Sequence, residues 1–405
     1  MNTGLRPLAL ASAIVLSTGL AACGGSGGGN LLSSPGEHSP SPEGFLYITA
    51  AATNGSPGSV FQYSIGADGS VTPQSVSSVS AGTNPMGVAA DPSGRYVYAV
   101  NGDDHTISQY AVGADGGLKA LSPAVVSVPL SPSQGGGFWV SIDPSGHYLY
   151  VVTSPLGPTF VAAPASIAEY SIGGGGLLSP LTPASLTLST LAAGPLVIDS
   201  IGRHAYLGGG ASGVVLQFSI GFDGTLSALA LAGVAADDPT GVVLAPRDEA
   251  GYVLGTCVDS PCNGQVSLYL IAPDSSLNPR VSTTVTGSLI LPVDMVLNGS
   301  GSNAYLLSDF VGVDTNSGRL YQYAIDGSGT LVLQGELDTG SAAVAEALNG
   351  SHLYVLTSDA RAAPPNGSGG HLTHFTVGAG GLPSELGTTR ITGQNPTAMA
   401  LVIAP

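Results

Sequence analysis

Two acidic residues interrupt segments that are otherwise apolar. Asp294 lies in the run Leu-Pro-Val-Asp-Met-Val-Leu, and Glu346 lies in Ala-Val-Ala-Glu-Ala-Leu. A buried carboxylate is costly when it has no partner, so an acid at such a position needs a partner or a purpose. One purpose is catalysis, in which the carboxylate acts as a general base and activates water. The alternative is a water-filled channel that solvates both acids without any reaction.

A second set of polar residues lies in segments that we expect to be long, irregular loops. Such loops on a rigid scaffold are where binding normally resides. The alternative is that these residues are polar only because they lie in loops exposed to solvent. The candidate binding residues are Asp103, Asp104, His105, Asp309, Arg319, Asp359 and Arg361.

The sequence shows none of the usual metal or cofactor patterns. His371 and His374 are three apart in a predicted strand, so their side chains should point to opposite faces. The glycine run 173–176 is followed by neither a lysine nor a predicted helix, so it does not predict a phosphate-binding loop. We therefore expect no metal and no cofactor.

The first 22 residues resemble a bacterial lipoprotein signal peptide. Arg6 precedes a short apolar run, 8–16, and Leu20-Ala21-Ala22-Cys23 resembles the lipoprotein box. This resemblance implies that Cys23 becomes the lipid-carrying terminus of the mature chain. Residues 23–43 are rich in Gly, Ser and Pro and predict a tether. We expect a protein anchored in the bacterial cell envelope, periplasmic or at the cell surface, that touches the membrane only through this lipid.

The remaining two cysteines lie close together at Cys257 and Cys262. Zinc would require further ligands, and no second Cys or His pair stands nearby. We predict a disulfide between them, in keeping with an oxidising compartment.

The charge balance excludes whole classes of partner. The 405-residue chain carries 26 acidic and nine basic residues, a formal charge of −17. Removal of residues 1–22 takes away one arginine and changes the charge to −18. Such a chain lacks the positive charge needed to bind nucleic acid or anionic lipid headgroups.

A repeat of about 50 residues predicts the fold. Short apolar segments bounded by Gly, Pro, Asn and Asp indicate four strands in each repeat. Two ladders of seven aromatic residues give its register. The second-strand ladder is Tyr47, Tyr98, Tyr150, Tyr206, Tyr252, Tyr305 and Tyr354, and the third-strand ladder is Tyr63, Tyr110, Tyr170, Phe218, Tyr269, Tyr323 and Phe375.

Four short strands per repeat are typical of a β-propeller blade. The first repeat lacks a first strand, and residues 393–401 near the C-terminus match 82–90, the first strand of the second repeat. We therefore predict one all-β domain over 44–405, a propeller of seven blades with four antiparallel strands each. Its ring is closed by the C-terminal strand, which pairs into blade 1.

Aligned at constant distance from the tyrosine ladder, both acids fall in inner strands. Glu346 takes a position that elsewhere holds Ala90, Ile142, Ile198, Leu244, Leu297 and Leu401. Asp294 takes a position that elsewhere holds Gly87, Trp139, Pro195, Gly241 and Ala343.

The repeat around 84–101 resembles a known family. Its Asn-Pro-x-Gly-Val-Ala-x-Asp-Pro-Ser-Gly-Arg-Tyr-Val-Tyr pattern, followed by Ile-Ser-Gln-Tyr, is similar to the repeat of lactonase-type seven-bladed β-propellers. That family includes 6-phosphogluconolactonase-like and YVTN-repeat proteins. The resemblance covers 44–405 and implies hydrolysis of sugar lactones for some members. Enzymatic members carry histidine ahead of the Asp-Pro-x-Gly turn, whereas 83–87 and 135–139 contain none, so no functional residue is transferred.

A phosphorylated substrate is disfavoured, because phosphate requires cationic anchors and the chain is strongly acidic. The long loops connect the second and third strands of the blades, and we call the face of the propeller that carries them the long-loop face. We expect a monomeric binding module that holds an envelope protein or a small neutral ligand on this face. The alternative is a hydrolase of neutral sugar-type lactones, with Asp294 and Glu346 as its catalytic residues.

Overall fold

The computed structural model describes residues 42–52, 56–129, 137–154, 164–256, 263–288, 290–310, 318–359, 369–378, 382–392 and 394–403. The predicted signal peptide, Cys23 and nearly all of the predicted tether lie outside these ranges, as do Cys257 and Cys262. Within the described ranges, no helix is long and apolar enough to cross a membrane.

The structure is built almost entirely from strands, with a 3-10 turn at Gly210–Ser212. In chain order the strands are β1 (Gly44–Ala51), β2 (Pro57–Ile65), β3 (Val71–Thr83), β4 (Pro85–Ala90), β5 (Tyr96–Asn101), β6 (Thr106–Val112), β7 (Leu118–Ser127), β8 (Gly137–Ile142), β9 (Tyr148–Ser154), β10 (Ser166–Ile172), β11 (Leu178–Thr187), β12 (Val197–Ile198), β13 (His204–Gly208), β14 (Val214–Ile220), β15 (Leu226–Ala235), β16 (Pro239–Leu244), β17 (Ala250–Gly255), β18 (Asn263–Ile271), β19 (Leu277–Ser288), β20 (Ile290–Leu297), β21 (Asn303–Phe310), β22 (Arg319–Ile325), β23 (Leu331–Asp338), β24 (Ala342–Asn349), β25 (His352–Ser358), β26 (Gly369–Thr376), β27 (Ser384–Thr392) and β28 (Asn395–Ile403).

These strands form seven antiparallel sheets of four, which are the blades of the propeller. Blades 2 to 7 each take four consecutive strands, from β4–β7 through to β24–β27. Blade 1 has the order β28-β1-β2-β3, so its inner strand comes from the C-terminal end of the chain. The predicted fold and the predicted closure are both confirmed.

The closing strand is fixed to two blades. β28 pairs with β1 from Gly44 opposite Ile403 to Ala51 opposite Asn395. The Thr397 hydroxyl also donates to the carbonyl of Pro85 in blade 2, at 2.6 Å. The closing strand thus carries hydrogen bonds across the seam as well as along its own sheet.

The hydrophobic core is divided among the contacts between blades. One cluster joins Leu46 and Ile48 of blade 1 to Tyr354 and Leu356 of blade 7, and corresponding clusters join the other neighbouring blades. Each blade therefore buries its apolar faces against its two neighbours, as repeat proteins do.

The second-strand tyrosines hold neighbouring blades together through their hydroxyl groups. Tyr98 of blade 2 donates to the carbonyl of Gly176 in blade 3 at 2.8 Å, and Tyr150 of blade 3 donates to Gly224 of blade 4 at 2.7 Å. Gly176 has a φ of 77°, and a Cβ there would lie 2.2 Å from the ring of Tyr96. The turn is therefore glycine because its backbone is left-handed and lies directly against an aromatic ring.

A second ladder, on the third strands, also links successive blades. Gln109 of blade 2 accepts a hydrogen bond from the N–H of Leu178 in blade 3 at 2.7 Å, and Gln217 accepts one from Leu277 at 2.7 Å. Glu169 holds this position in blade 3 and accepts from the N–H of Leu226. We call this position the linker position, and its residues are Gln62, Gln109, Glu169, Gln217, Leu268, Gln322 and His374.

Candidate functional site

Asp294 and Glu346 lie on neighbouring inner strands. Asp294 is in β20 of blade 6 and Glu346 is in β24 of blade 7, and each is the fifth residue of an eight-residue strand. The N–H of Glu346 donates to Oδ2 of Asp294 at 3.1 Å. The two acids that the sequence singles out are thus brought together at the contact between blades 6 and 7.

The position of Glu346 within its strand differs from the prediction. Glu346 is paired with Val355, the residue after Tyr354. The equivalent residues in five other blades are therefore Val88, Val140, Val242, Met295 and Met399, and the predicted set, two residues further along, is wrong.

The reason is a shorter turn. In blade 7 only Gly350 and Ser351 separate the first two strands, whereas residues 91–95 separate them in blade 2. For the same reason the residue of blade 7 that corresponds to Asp294 is Ala345, and the prediction of Ala343 is wrong. The set around Glu346 remains apolar after the correction.

Asp294 is held in place by two backbone donors. The N–H of Met295 donates to Oδ1 at 2.9 Å, and the N–H of Glu346 donates to Oδ2. The residue is 9% exposed. Burial raises the pKa of its carboxyl to about 7, and the two backbone N–H groups oppose part of that rise. Asp294 is therefore poised to gain or lose a proton near neutral pH.

Glu346 is fully buried at 0% exposure. Among the described residues, neither of its carboxyl oxygens has a hydrogen-bond partner. Burial, and then the negative charge of Asp294, raise its pKa well above the ordinary value. Burial and the neighbouring acid therefore favour the protonated form of Glu346.

The predicted binding residues in blade 2 are tied to the chain itself. The amide of Asn84 donates to Asp103 at 3.0 Å, and the N–H of Thr83 donates to Asp104 at 2.6 Å. The carbonyl of His105 accepts from the N–H of Val128 at 2.9 Å. These contacts hold the connection between β3 and β4 in place, and they leave the binding role of the three residues a prediction.

Two further predicted binding residues, Asp309 and Arg319, lie on blade 6. Asp309 was expected in a loop, but it lies within β21 at 3% exposure, so that placement is wrong. The guanidinium of Arg319 bonds the carboxylate of Glu336 on the outer strand β23. Arg361 lies outside the described residues.

Polar side chains surround the carboxylate of Asp359, which directly follows β25 in blade 7. Its carboxylate accepts from the hydroxyl of Ser341 at 3.2 Å and lies 3.6 Å from Nδ1 of His371. Arg390 of the outer strand approaches the same carboxylate at 3.8 Å. Within the described part of the chain, no group of three His, Cys, Asp or Glu side chains is arranged to hold a metal.

One pair of side chains was missed by reasoning from the sequence. His374 was compared with His371 on its own strand, but its neighbour is His352 at the start of β25, with ring nitrogens 3.0 Å apart. The signal was available in the strand alignment, because Tyr354 and His374 are opposite each other and His352 is two residues from Tyr354.

Comparison with known proteins supports the family resemblance. A family model described as "Lactonase, 7-bladed beta-propeller" matches residues 40–157. A search of curated proteins finds no match.

Solved structures share the fold over most of the chain. The periplasmic gluconolactonase PpgL of Pseudomonas aeruginosa has a TM-score of 0.69 at 17% identity, covering 89% of this chain and 99% of that one. A putative 6-phosphogluconolactonase from Bacteroides fragilis has a TM-score of 0.69 at 16% identity, covering 91% and 100%. A third, from Bacteroides uniformis, has a TM-score of 0.69 at 17% identity, covering 89% and 100%. The ring of seven four-stranded blades and these structural matches show that the chain is a seven-bladed β-propeller, and its residues 40–157 match the lactonase propeller family.

Proposed function

We propose that this protein hydrolyses an uncharged sugar-type lactone, with Asp294 as the general base. The observation that carries the proposal is the state of Asp294: a carboxylate fixed by two backbone N–H groups, with a pKa of about 7 and 9% of its surface exposed. General bases work best when their pKa lies near the working pH. The structural similarity to a protein described as a periplasmic gluconolactonase, and to one described as a putative 6-phosphogluconolactonase, supports lactone hydrolysis as the reaction type.

The preference for an uncharged substrate rests on charge. Among the described residues, no lysine or arginine forms an ion pair with Asp294 or Glu346. A phosphoryl group bound there would face two acids and a chain whose formal charge is −17. A neutral lactone avoids this repulsion.

The proposed reaction adds one water across the ring ester. The carboxylate of Asp294 takes a proton from water as the water oxygen bonds to the carbonyl carbon of the lactone. The tetrahedral intermediate then breaks the bond between that carbon and the ring oxygen. The ring oxygen leaves with the proton returned from Asp294, and the product is the open-chain hydroxy acid. Glu346 is a positioning residue, because its N–H donates to Asp294 and orients that carboxylate.

The decisive experiment measures acid release from a panel of neutral lactones, which includes glucono-δ-lactone, in a pH-stat. We expect Asp294→Asn to lower kcat about 10²–10⁴-fold, the usual contribution of a general base. For the wild type, kcat/KM should rise to a plateau with an apparent pKa near 7, since the ionised form of Asp294 is the active one.

Glu249→Gln is the matched control, because Glu249 is an exposed acid in the short turn between β16 and β17, on the opposite face. This variant should keep the full rate. Glu346→Gln keeps the backbone N–H that orients Asp294 and should therefore keep most of the rate, whereas unchanged turnover in Asp294→Asn would remove Asp294 from the mechanism.

The second candidate is a binding module held in the bacterial cell envelope by lipid on Cys23. The polar cluster of Asp359, Ser341, His371 and Arg390 favours it, since these side chains span blade 7 on the long-loop face. Heat of binding for a neutral sugar, without turnover and sensitive to Asp359→Asn, would support this candidate over the enzyme. Loss of membrane fractionation in Cys23→Ser would support the anchor.

A further inference from the structure

Blade 5 differs from the other blades in both turns at the end of the propeller opposite the long-loop face. Its turn between the first two strands has Asp248 with a φ of 55°, where blades 2, 3, 4, 6 and 7 have Gly94, Gly146, Gly202, Gly301 and Gly350. Its turn between the last two strands has Ser275 with a φ of 62°, where blades 1, 2, 3, 4 and 6 have Gly69, Gly116, Gly176, Gly224 and Gly329. A left-handed backbone strains a residue that carries a Cβ, and such strain is concentrated at functional sites.

A cavity lies between blades 4 and 5 beside Ser275. At the equivalent turn of blade 3, the ring of Tyr96 from the preceding blade covers the glycine, since a Cβ on Gly176 would lie 2.2 Å from that ring. The residue of blade 4 that corresponds to Tyr96 is His204, whose Nδ1 instead lies 2.9 Å from Oδ2 of Asp199 in its own blade. The cavity has a volume of about 380 Å³. This volume is at the small end of the range for ligand sites, about 300–1,000 Å³.

Two hydrogen bonds between the blades fix the walls of this cavity. The hydroxyl of Tyr206 in blade 4 donates to the carbonyl of Ser275 at 2.6 Å. The N–H of Ser200 in blade 4 donates to Oδ2 of Asp248 at 2.8 Å. Ser200 stands where blades 2 and 3 have proline, which has no N–H to donate. The unusual residues of the two blades therefore act together, and all four line the cavity.

The cavity offers both a positive and a negative group to a ligand. Arg247 lines it and forms no ion pair with any described residue. At this position in blade 2, Ser93 bonds to Asp91 at the start of the turn, but blade 5 has Ala245 there, so nothing in the turn holds the arginine. Oδ1 of Asp248 likewise accepts no hydrogen bond from the described residues, because the bond from blade 4 goes to Oδ2.

The rest of the lining is largely apolar. Ile201 of blade 4 and Ile271 and Pro273 of blade 5 contribute to the wall. Ile201 is 70% exposed, which is unusual for a large apolar side chain in a short turn. A ligand that covers it would remove apolar surface from water.

We propose that this cavity binds an α-amino acid with an apolar side chain, in its zwitterionic form. The carboxylate of the ligand pairs with the guanidinium of Arg247, which is suited to two parallel hydrogen bonds. The ammonium group donates to Oδ1 of Asp248, and the apolar side chain packs on Ile201 and Ile271. A simple anion would be repelled by Asp248 and by a chain of formal charge −17, and a simple cation would be repelled by Arg247.

The site is separate from the proposed hydrolytic site. It is formed by blades 4 and 5, whereas Asp294 and Glu346 lie on blades 6 and 7. Binding of the amino acid can therefore be measured whether or not the protein hydrolyses a lactone.

The test is calorimetry and saturation-transfer NMR of the full chain at pH 7 with L-leucine, L-isoleucine, L-valine and L-phenylalanine. We expect at least one of them to bind at one site per chain. For L-leucine, three analogues each remove one interaction: 4-methylpentanoate lacks the ammonium group, L-leucinamide lacks the carboxylate, and glycine lacks the apolar side chain. Each analogue should bind about tenfold more weakly or worse, the usual effect of losing one charged hydrogen bond or a buried side chain.

Arg247→Gln and Asp248→Gly should each weaken binding of the amino acid by a similar factor. Asp248→Gly is compatible with the fold, because glycine is the residue of this turn in five other blades. Arg95→Gln is the matched control, since it removes an exposed arginine from the corresponding turn of blade 2, and it should keep the wild-type affinity.

Three results would overturn the proposal: no binding of any of the four amino acids, wild-type affinity in Arg247→Gln or Asp248→Gly, or an equal loss in Arg95→Gln. Binding of 4-methylpentanoate as tight as that of L-leucine would also overturn it, because the ammonium group would then play no part. Unchanged circular dichroism of each variant ensures that a lost signal reports the site and not unfolding.

Discussion

Glu169 provides the sharpest test of how the blades are joined. It is 1% exposed at the linker position of blade 3, where its carboxylate accepts from the N–H of Leu226 in blade 4 at 3.2 Å. Gln109 makes the same bond one blade earlier with a neutral amide. Burial, together with the charge of Asp223, raises the pKa of Glu169 from 4.5 to about 7. We expect Glu169→Gln to stabilise the protein above neutral pH.

The sign and size of the effect follow from the shifted pKa. The folded protein binds this proton more tightly than the unfolded chain, so the stabilising effect of protonation is complete below pH 4.5 and is lost as the pH rises to about 7. The shift corresponds to at most about 3 kcal/mol at 1.36 kcal/mol per pKa unit. Solvent screening at the neighbouring turn reduces the expected gain of Glu169→Gln at pH 8 to about 2 kcal/mol.

The assay is urea denaturation of wild type and Glu169→Gln at pH 4.5 and pH 8, followed by tyrosine fluorescence. The two proteins should unfold alike at pH 4.5 and differ at pH 8. Gln109→Glu is the mirror control and should lose stability at pH 8 only. A difference between wild type and Glu169→Gln that is the same at both pH values would refute the reasoning, because a change in packing alone has no pH dependence.

Three further outcomes are expected. Tyr98→Phe should lower the free energy of unfolding by about 1–2 kcal/mol in the same urea assay, because it leaves the carbonyl of Gly176 without its donor. Gln322→Leu should be neutral or stabilising by up to about 1 kcal/mol, since both amide atoms of Gln322 are buried without a hydrogen-bond partner among the described residues; a loss above that would show an unseen partner. Alkylation should add mass at Cys257 and Cys262 only after reduction, and labelling of the untreated protein would exclude their disulfide.

The fold could be predicted because each repeat carries its own register marker. The tyrosine of the second strand makes a specific bond to the following blade, so its spacing reports the blade period directly. Closure was equally accessible, because residues 393–401 match the first strand of the second repeat and β28 does pair with β1.

The exact position of Glu346 along its strand could not be predicted from the spacing of the tyrosines. The alignment assumed a constant distance between the inner strand and the tyrosine, but Tyr354 pairs with Ala347, seven positions earlier, whereas Tyr98 pairs with Ala89, nine positions earlier. A shift of two residues along a strand keeps a side chain on the same face of the sheet. The apolar surroundings of Glu346 could therefore be predicted, but its position along the strand could not.

Contacts that depend on backbone donors were also beyond the sequence. Asp104 meets the N–H of Thr83, and Asp294 meets the N–H of Glu346 on the next blade. Residue types do not reveal such partners, because every non-proline residue has the same N–H group. Proline is the informative exception, because it has no N–H. Leu178 of blade 3 donates its N–H to Gln109 of blade 2, and the equivalent residue of blade 7 is Pro383. Gln322 of blade 6 therefore receives no such hydrogen bond from blade 7.

The origin of blade 1 imposes an order on assembly. Thr49 and Ala398 are neighbours in one sheet but are separated by 349 positions, so the six other blades can form before this one. Until then β1 is an open edge, and β28 of a second molecule can occupy it as well as the chain's own strand does. At high concentration, refolding should therefore compete with strand exchange between molecules, and a ring that folds readily when dilute would be recovered partly as linked oligomers.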